Sequence, residues 1–401
     1  MTASKRIESI DILRGIVMII MCLDHTRDYF QDLQVAGSPM NLETTYPALF
    51  FTRYITHFCA PVFVFLSGLS VYLQSKRKSN KELSVFLLKR GIWLILLEIF
   101  LNNFLWSFDV TFNLIVLQVI WAIGASMVVL SALIYLNKKL LLVLGLVIVA
   151  GHNLLDVYGY SSIQYANNGK EALDFLWYLV HQPGGMEIGD SHRYITVGYP
   201  MLPWLGIMIL GYCLGSLYSS GFDQAKRSKY LIVMGSSALI LFIILRTFNL
   251  YGDPEFWFDE QSSFFKTLVS FLRISKYPPS FHYTLVTLGV CLISLAILEK
   301  FKNRITDFLL VYGRVPLFFY FLHIAVIHVS SMLLKPLFGQ SMYTSISNYE
   351  NYINEQHRYI DSGLIGVYIA WILIIAALYY PCLKYMRYKM NNKNKKWLSY
   401  L

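Results

Sequence analysis

The segment IESIDILRGIVMIIMCLDHTRDYF, residues 7–30, decides how the rest of the chain is interpreted, because charged side chains interrupt an apolar run. Asp11 and Arg14 stand three residues apart, which places them on one face of a helix. His25 follows Arg14 after ten intervening residues, roughly 16 Å further along a helix axis. Ionisable groups are costly inside a membrane and usually mark a function there. The structural alternative is that Arg14 reaches the lipid headgroups and His25 caps the helix end.

Composition indicates a polytopic membrane protein. The 401 residues are 56% hydrophobic and only 14% charged, and the mean hydropathy of +0.49 lies outside the usual range of soluble domains. We therefore predict an all-α bundle of about ten transmembrane helices, forming one domain over residues 1–401. The predicted spans are 8–30, 47–74, 83–107, 111–136, 138–156, 199–219, 229–247, 280–299, 305–334 and 363–386.

The positive charge of the chain is explained by topology. Lysine and arginine cluster in the short connections, such as 76–81 and 300–304, which all fall on one side if there are about ten spans. Both termini are then cytoplasmic, and the net charge of +10 does not indicate nucleic-acid binding. The five cysteines lie in or beside apolar runs without paired spacing, so neither a disulfide framework nor a metal site is expected.

Imidazoles and cations fall at opposite predicted depths. Imidazole titrates near neutral pH and can act as a general base or acid, although a lone histidine in a span more often packs between helices. Six histidines lie in the outer halves of predicted spans: His25, His57, His152, His282, His323 and His328. Cations near the cytoplasmic side suit a phosphorylated ligand, or for Lys89 and Arg90 simply anionic lipids. These cations are Arg14, Lys89, Arg90 and Arg314.

Carboxylates are expected to hold these groups in place. Asp28 lies one helical turn after His25 and is the expected orienting partner of its imidazole. Asp11 is expected to pair with Arg14, and Glu98, in the middle of a predicted span, with Arg14 or Arg90.

Two proline-containing segments are expected to form cavity walls. In HFCAPVFVFLSG, residues 57–68, Pro61 should free a backbone carbonyl and kink the second span. In YPMLPWLG, residues 199–206, Trp204 is a candidate substrate contact at the outer start of the sixth span. No metal-ligand spacing, nucleotide-binding loop or G-x-S-x-G turn occurs in the sequence.

The chain resembles a bacterial member of the heparan-alpha-glucosaminide N-acetyltransferase family, within the wider transmembrane acyltransferase superfamily. The resemblance rests on the R-x10-H spacing from Arg14 to His25 and on four further segments. These are SIDILRG, HFCAPVFVFLSG, YPMLPWLGIMILGYCLG and GRVPLFFYFLHIAVIH, the last spanning residues 313–328.

The resemblance implies acetyl transfer from cytosolic acetyl-CoA to an extracytoplasmic sugar. It implies an active histidine, which the R-x10-H match assigns to His25. In the lysosomal enzyme of the family, the active histidine aligns near Pro47, where this chain has no histidine. His57 therefore remains the alternative to His25. Arg14, Arg314, Lys89 and Arg90 are the expected donor site, and His323, His328, His282 and Trp204 the expected substrate or oxyanion contacts.

Two mechanisms and one rival function remain open. The imidazole either removes a proton from the acceptor's amine or hydroxyl, or carries the acetyl group itself. The rival is a proton-coupled carrier of a small polar solute, but such carriers more often show two related halves with paired helix breaks. The expected partners are acetyl-CoA, a saccharide and lipid in a bacterial cytoplasmic membrane; the sequence leaves homo-oligomerisation open.

Overall fold

The computed structural model describes residues 7–32, 38–158, 172–189, 193–260, 263–346, 359–392 and 394–399, and these are mostly helical. The first helices are α1 (Glu8–Phe30), α2 (Pro47–Thr56), α3 (Cys59–Ser75), α4 (Asn80–Leu96), α5 (Asn103–Ser107), α6 (Val119–Leu133), α7 (Lys138–Gly151) and α8 (Ala172–Val180). The later ones are α9 (Met201–Leu214), α10 (Gln224–Thr247), α11 (Phe264–Leu272), α12 (Phe281–Leu298), α13 (Arg304–Gly313), α14 (Pro316–Leu334) and α15 (Gly363–Asn391). A π-helix, Leu97–Asn102, joins α4 to α5.

Seven helical segments in the described part of the chain are long and apolar enough to cross a membrane, and one of them is the consecutive pair α2 and α3. They correspond to seven of the predicted spans, so the chain is a helical membrane protein. The other three predicted spans fall on α1, whose charges interrupt the apolar run, on the stretch from α4 to α5, and on α6, which has only 15 residues.

Two predicted long spans are each two helices. The span predicted at 305–334 is broken at Arg314 and Val315, where α13 ends and the Pro316 ring begins α14. The span predicted at 47–74 is broken at His57 and Phe58, between α2 and α3. Both breaks place polar backbone groups inside the bundle, where they need partners.

The break in the second span follows from the proline that the sequence analysis identified. Pro61 has no N–H to donate to the carbonyl four residues earlier, which belongs to His57. The hydroxyl of Tyr283, on α12, donates a hydrogen bond of 2.6 Å to that carbonyl instead. The freed group therefore ties α12 to the α2–α3 junction.

A small sheet, which the sequence analysis did not predict, makes the chain mostly helical rather than all-α. The strands are β1 (Leu114–Leu117), β2 (Gly184–Ile188) and β3 (Arg193–Val197), with β3 in the middle. It pairs parallel to β1 and antiparallel to β2. Residues 111–118, assigned by the sequence analysis to a span, thus precede α6, which begins at Val119.

Helix α1 lies at the centre of the bundle and contacts α2, α3, α12, α13, α14 and α15. Its closest approach is to α13. A Cβ atom on Gly313 would lie 1.8 Å from the carbonyl oxygen of Asp11, and one on Gly15 would lie 2.1 Å from that of Leu309. Only glycine allows this backbone contact, which brings the start of α14 against α1.

Candidate functional site

Arg14 is fixed where three helices meet. Its guanidinium donates hydrogen bonds to Asp11 Oδ1 at 2.9 Å, to the carbonyl oxygen of Gly313 at 3.1 Å and to Ser70 Oγ at 3.3 Å. The carbonyl of Gly313 is accessible to Arg14 because the two backbones touch there. Charge-assisted bonds from three helices hold the guanidinium in one orientation.

The other three predicted donor-site cations have different surroundings. Arg314 donates to Glu8 at 3.3 Å, and its Nε lies 3.9 Å from Asp11 Oδ2, so Asp11 lies between two arginines. Arg90 lines the cavity described below. Lys89 is exposed on the surface of the described bundle.

Glu98 does not form the ion pair that we expected with Arg14 or Arg90. Its fully buried carboxylate accepts hydrogen bonds from Asn102 Nδ2 at 2.6 Å and from the backbone N–H of Trp121 at 2.9 Å. Trp121 is in the first turn of α6, where backbone amides have no partner within the helix and attract negative charge. Glu98 therefore anchors the start of α6.

A cavity of about 110 Å³ lies beside α1 at the level of Arg14 and Met18. Arg14 and Arg90 line it, together with mostly apolar side chains such as Met18 and Met127. Tyr320 of α14 also lines it, and the Tyr320 ring lies 6.1 Å from that of His25. Tyr320 therefore connects the cavity lining to His25, which is not itself a lining residue.

His25 and His323 form a hydrogen-bonded imidazole pair. Nδ1 of His25 lies 2.8 Å from Nε2 of His323, and Nδ1 of His323 lies 2.9 Å from the carbonyl oxygen of Phe319. A carbonyl can only accept, so His323 carries its proton on Nδ1, and its Nε2 accepts from Nδ1–H of His25. His323 is fully buried. The network therefore leaves Nε2 of His25 without a proton and able to act as a base.

Aromatic rings place the His25 imidazole inside the bundle rather than towards lipid. Its ring meets the edge of Trp106 at 4.9 Å and is parallel to that of His323 at 5.0 Å. The backbone of Trp106 is fixed in turn, because the hydroxyl of Tyr29 donates 2.6 Å to its carbonyl. His25 nevertheless remains partly exposed, as a group that meets a substrate must be.

Asp28 is not the hydrogen-bonding partner of His25 that we expected. Its carboxylate accepts from Arg27 at 3.2 Å, while Nδ1 of His25 is used by His323. Asp28 remains close enough to act on the His25 imidazole through its charge. Its effect on His25 is electrostatic, and orientation comes from His323.

The residue before His25 is part of a separate ionic cluster. Arg53 of α2 binds both oxygens of Asp24 through one nitrogen, at 3.0 and 2.7 Å, and Arg27 binds the same carboxylate at 2.9 Å. Asp28 binds Arg27 as well, so the two guanidiniums are balanced by two carboxylates. The cluster also fastens α2 to α1 beside His25.

A pair of tyrosines and a lysine lie near this cluster. The hydroxyls of Tyr199 and Tyr277 are 3.3 Å apart, and the Lys276 ammonium lies 5.0 Å from the Tyr277 ring centre. Partial desolvation raises the pKa of Tyr277, but Lys276 and Arg53 outweigh this effect and bring that pKa below its ordinary value. Trp204, predicted as a substrate contact, packs against Tyr199 at 5.2 Å.

The other predicted histidines have separate contacts. Nδ1 of His57 lies 3.2 Å from the carbonyl oxygen of Tyr54. His328 stacks on Phe108 at 3.9 Å, and His282 packs against Phe242. The structure therefore brings one of the predicted histidines, His323, into hydrogen-bond contact with His25.

Sequence reasoning missed several residues that surround His25. Tyr320 precedes His323 by three residues, so helical spacing alone placed both on one face of α14. Arg53 is a charged residue inside a predicted span, and this position alone indicated a functional role. Trp106 gave no such signal, because the chain is 16% aromatic.

A family model described as "Heparan-alpha-glucosaminide N-acetyltransferase, catalytic" matches residues 6–246, more than half of the chain. The matched part runs from α1 to the end of α10 and contains Arg14, His25, Arg53 and Trp106. His323 and Tyr320 lie beyond it, on α14. No match was found among the curated proteins.

Proposed function

The chain belongs to the heparan-alpha-glucosaminide N-acetyltransferase catalytic family, and from this premise we propose that it moves an acetyl group from cytosolic acetyl-CoA to a sugar on the far side of the membrane. The family supports acetyltransferase activity in general. The observation that carries the more specific proposal is the cavity lined by Arg14, Arg90 and Tyr320, because the Tyr320 ring lies 6.1 Å from that of His25.

Donor binding is assigned to the Arg14 end of the cavity. Arg14, Arg90 and Arg314 would face the phosphates of acetyl-CoA, and Arg can bind phosphate oxygens through two nitrogens. Lys89 is exposed and would act at most as a peripheral charge. The mostly apolar lining, with Met18 and Met127, suits the uncharged pantetheine arm and its acetyl thioester.

The reaction is assigned to His25. Its unprotonated Nε2 would remove a proton from the acceptor's amine or hydroxyl as that group attacks the thioester carbonyl. His323 holds the imidazole in this tautomer through the 2.8 Å bond to Nδ1. Transfer through an acetylated His25 would use the same nitrogen.

The acceptor would approach from the end of the bundle where Tyr199, Tyr277 and Lys276 lie. Tyr277 keeps 41% of its surface exposed, so an acceptor can reach it. Phenol groups and the amides of loops are common hydrogen-bonding partners of sugar hydroxyls. We assign the protein to a bacterial cytoplasmic membrane with both termini inside the cell, which places this end outside.

Purified protein in detergent tests the activity with acetyl-labelled acetyl-CoA. Glucosamine offers an amine and hydroxyls, whereas methyl glucoside offers hydroxyls alone, so the pair separates N- from O-transfer. We expect label on at least one of these sugars. The proposal fails if neither is labelled and the protein releases no more CoA than the His25→Ala variant does.

A further inference from the structure

A second cavity, which we call the Tyr251 cavity, lies where α7 and α10 end. Its volume is about 390 Å³, and it is lined by residues that follow these two helices, among them Asp156, Tyr251, Asp253 and Phe256. None of its described lining residues is a lysine or an arginine. The cavity therefore suits a ligand without phosphate groups.

The Tyr251 cavity adjoins the segment that carries Tyr277. Asp253, in the cavity wall, accepts hydrogen bonds from the backbone N–H of Ser275 at 2.9 Å and from Ser280 Oγ at 2.6 Å. Tyr277 lies between these two serines in the sequence. The bonds therefore place the cavity at the end of the bundle to which the acceptor is assigned.

Two aromatic rings of the cavity are open to a ligand. Phe256 keeps 66% of its surface exposed, and Tyr251 keeps 40%. A sugar ring has apolar C–H faces and a rim of hydroxyl donors. Aromatic side chains with a few polar groups are the usual lining of a ligand pocket, and such rings can cover the apolar face of a sugar.

Asp156 gives the cavity a carboxylate with unused acceptor capacity. Its Oδ1 lies 3.0 Å from Nε2 of His181, and its Oδ2 accepts from Asn153 Nδ2 at 2.8 Å. A carboxylate has about four acceptor positions, so it can accept from sugar hydroxyls as well. In the described part of the chain no lysine or arginine pairs with Asp156, whereas Asp253 lies 3.9 Å from Arg246. An acidic sugar would therefore be repelled by the Asp156 carboxylate.

Building on the proposed acetyl transfer, we propose that the Tyr251 cavity binds a second sugar of the acceptor, either uncharged or carrying an amine, so that an oligosaccharide is a better acceptor than a monosaccharide. The sugar that receives the acetyl group lies at Tyr277, and the neighbouring unit follows the 275–280 segment into the cavity. Phe256 and Tyr251 cover the apolar face of this neighbouring unit. Asp156 accepts hydrogen bonds from its hydroxyl or amine groups.

Steady-state transfer from acetyl-CoA tests the preference with three acceptors. They are glucosamine, a disaccharide of two glucosamines, and a disaccharide in which glucuronic acid replaces the sugar that does not receive the acetyl group. We expect kcat/KM for diglucosamine to exceed that for glucosamine about tenfold, as covering one apolar sugar face should provide. The acidic disaccharide should gain less over glucosamine than diglucosamine does.

Two substitutions in the cavity should change this preference. Phe256→Ala should remove the advantage of diglucosamine by raising its KM, and Asp156→Asn should bring the two disaccharides closer together in kcat/KM. Phe258→Ala is the matched control, because Phe258 is an exposed phenylalanine of the same loop that does not line the cavity. This control should keep the wild-type preference.

A binding measurement without turnover separates this inference from the proposed function. Saturation-transfer NMR with the protein in detergent should show bound diglucosamine in the wild type and in Phe258→Ala, and less of it in Phe256→Ala. The inference is overturned if an active wild type uses diglucosamine no better than glucosamine, or if Phe256→Ala and Phe258→Ala keep equal preferences. A wild type that labels none of the three sugars overturns the proposed function instead, and the NMR comparison of the two variants still decides whether the cavity binds sugar.

Discussion

At the Arg14 end of α1, the central charged side chains have partners: Asp11 lies between Arg14 and Arg314. At the His25 end, the hydrogen bond to His323 uses Nδ1 of the imidazole, and His25 keeps part of its surface exposed. The first end is also where glycines bring the backbones of α1 and α13 into contact. We infer that the Arg14 end is built to hold its shape, whereas the His25 end leaves hydrogen-bonding capacity for a ligand.

The largest loss of kcat is expected when the His25 imidazole is removed. His25→Ala deletes the base, and general-base catalysis contributes about 10²–10⁴-fold, so kcat should fall by that factor while acetyl-CoA binding persists. Steady-state transfer and donor binding are measured on the same preparation. His152→Ala controls for packing, since it removes a buried imidazole that contacts His181 instead. Equal losses in both variants would remove His25 from the chemistry.

Removing the hydrogen bond that orients the His25 imidazole should lower kcat less than removing the imidazole itself. His323→Leu leaves Nδ1 of His25 without its acceptor, so the ring can turn or adopt the other tautomer. We expect kcat to fall about 10–100-fold and the acidic limb of its pH profile to move. His323→Gln, whose amide oxygen can accept from Nδ1–H, should restore part of kcat. A leucine variant with the wild-type pH profile would show that His323 only packs.

The sequence predicted the positions of Arg14 and His25 on α1 better than it predicted the partners of the site residues. The R-x10-H spacing placed Arg14 and His25 at two levels of one helix, and α1 indeed runs unbroken from Glu8 to Phe30. Helical periodicity cannot tell which partner from another helix reaches a given side chain. For that reason Asp28 was expected at His25 where His323 binds, and an arginine at Glu98 where backbone amides bind.

Helix breaks were only partly predictable. Pro61 indicated the break between α2 and α3, because a missing N–H has a fixed consequence four residues earlier. The strands β1 to β3 were missed because β1 is a short apolar run, LIVL, which sequence periodicity cannot distinguish from the start of a helix. Its partner β3 lies far away in the sequence.

At the Arg14 end, one substitution should weaken donor binding moderately. Arg14→Ala removes a guanidinium that would pair with phosphate, and one lost charge-assisted bond corresponds to about a tenfold rise in the Kd of acetyl-CoA. Lys300→Ala, an exposed cation on the same predicted side, is the control. Thermal unfolding should be followed as well, because Arg14 also joins three helices. A Kd unchanged from wild type in a folded protein would exclude Arg14 from the donor site.

The smallest effect on kcat is expected at Glu98, whose charge stabilises the fold and takes no part in the reaction. Glu98→Gln removes the negative charge and one of two acceptor oxygens at the start of α6, so one buried donor loses its partner; this should cost about 1–3 kcal/mol of stability with kcat largely preserved. Glu82→Gln is the matched control, because Glu82 lies in the first turn of α4 but is exposed to solvent. Thermal unfolding in detergent compares the two. A larger loss for Glu82→Gln than for Glu98→Gln would contradict the assigned role.

Sealed inverted vesicles test most directly whether the two ends of α1 serve one reaction across the membrane. Acetyl-labelled acetyl-CoA is supplied outside, on the cytoplasmic face, and glucosamine is trapped inside. Labelled sugar is expected inside wild-type vesicles, and none inside His25→Ala vesicles. Labelled sugar that forms only when donor and acceptor are on the same side, or equal labelling in the variant, would contradict it.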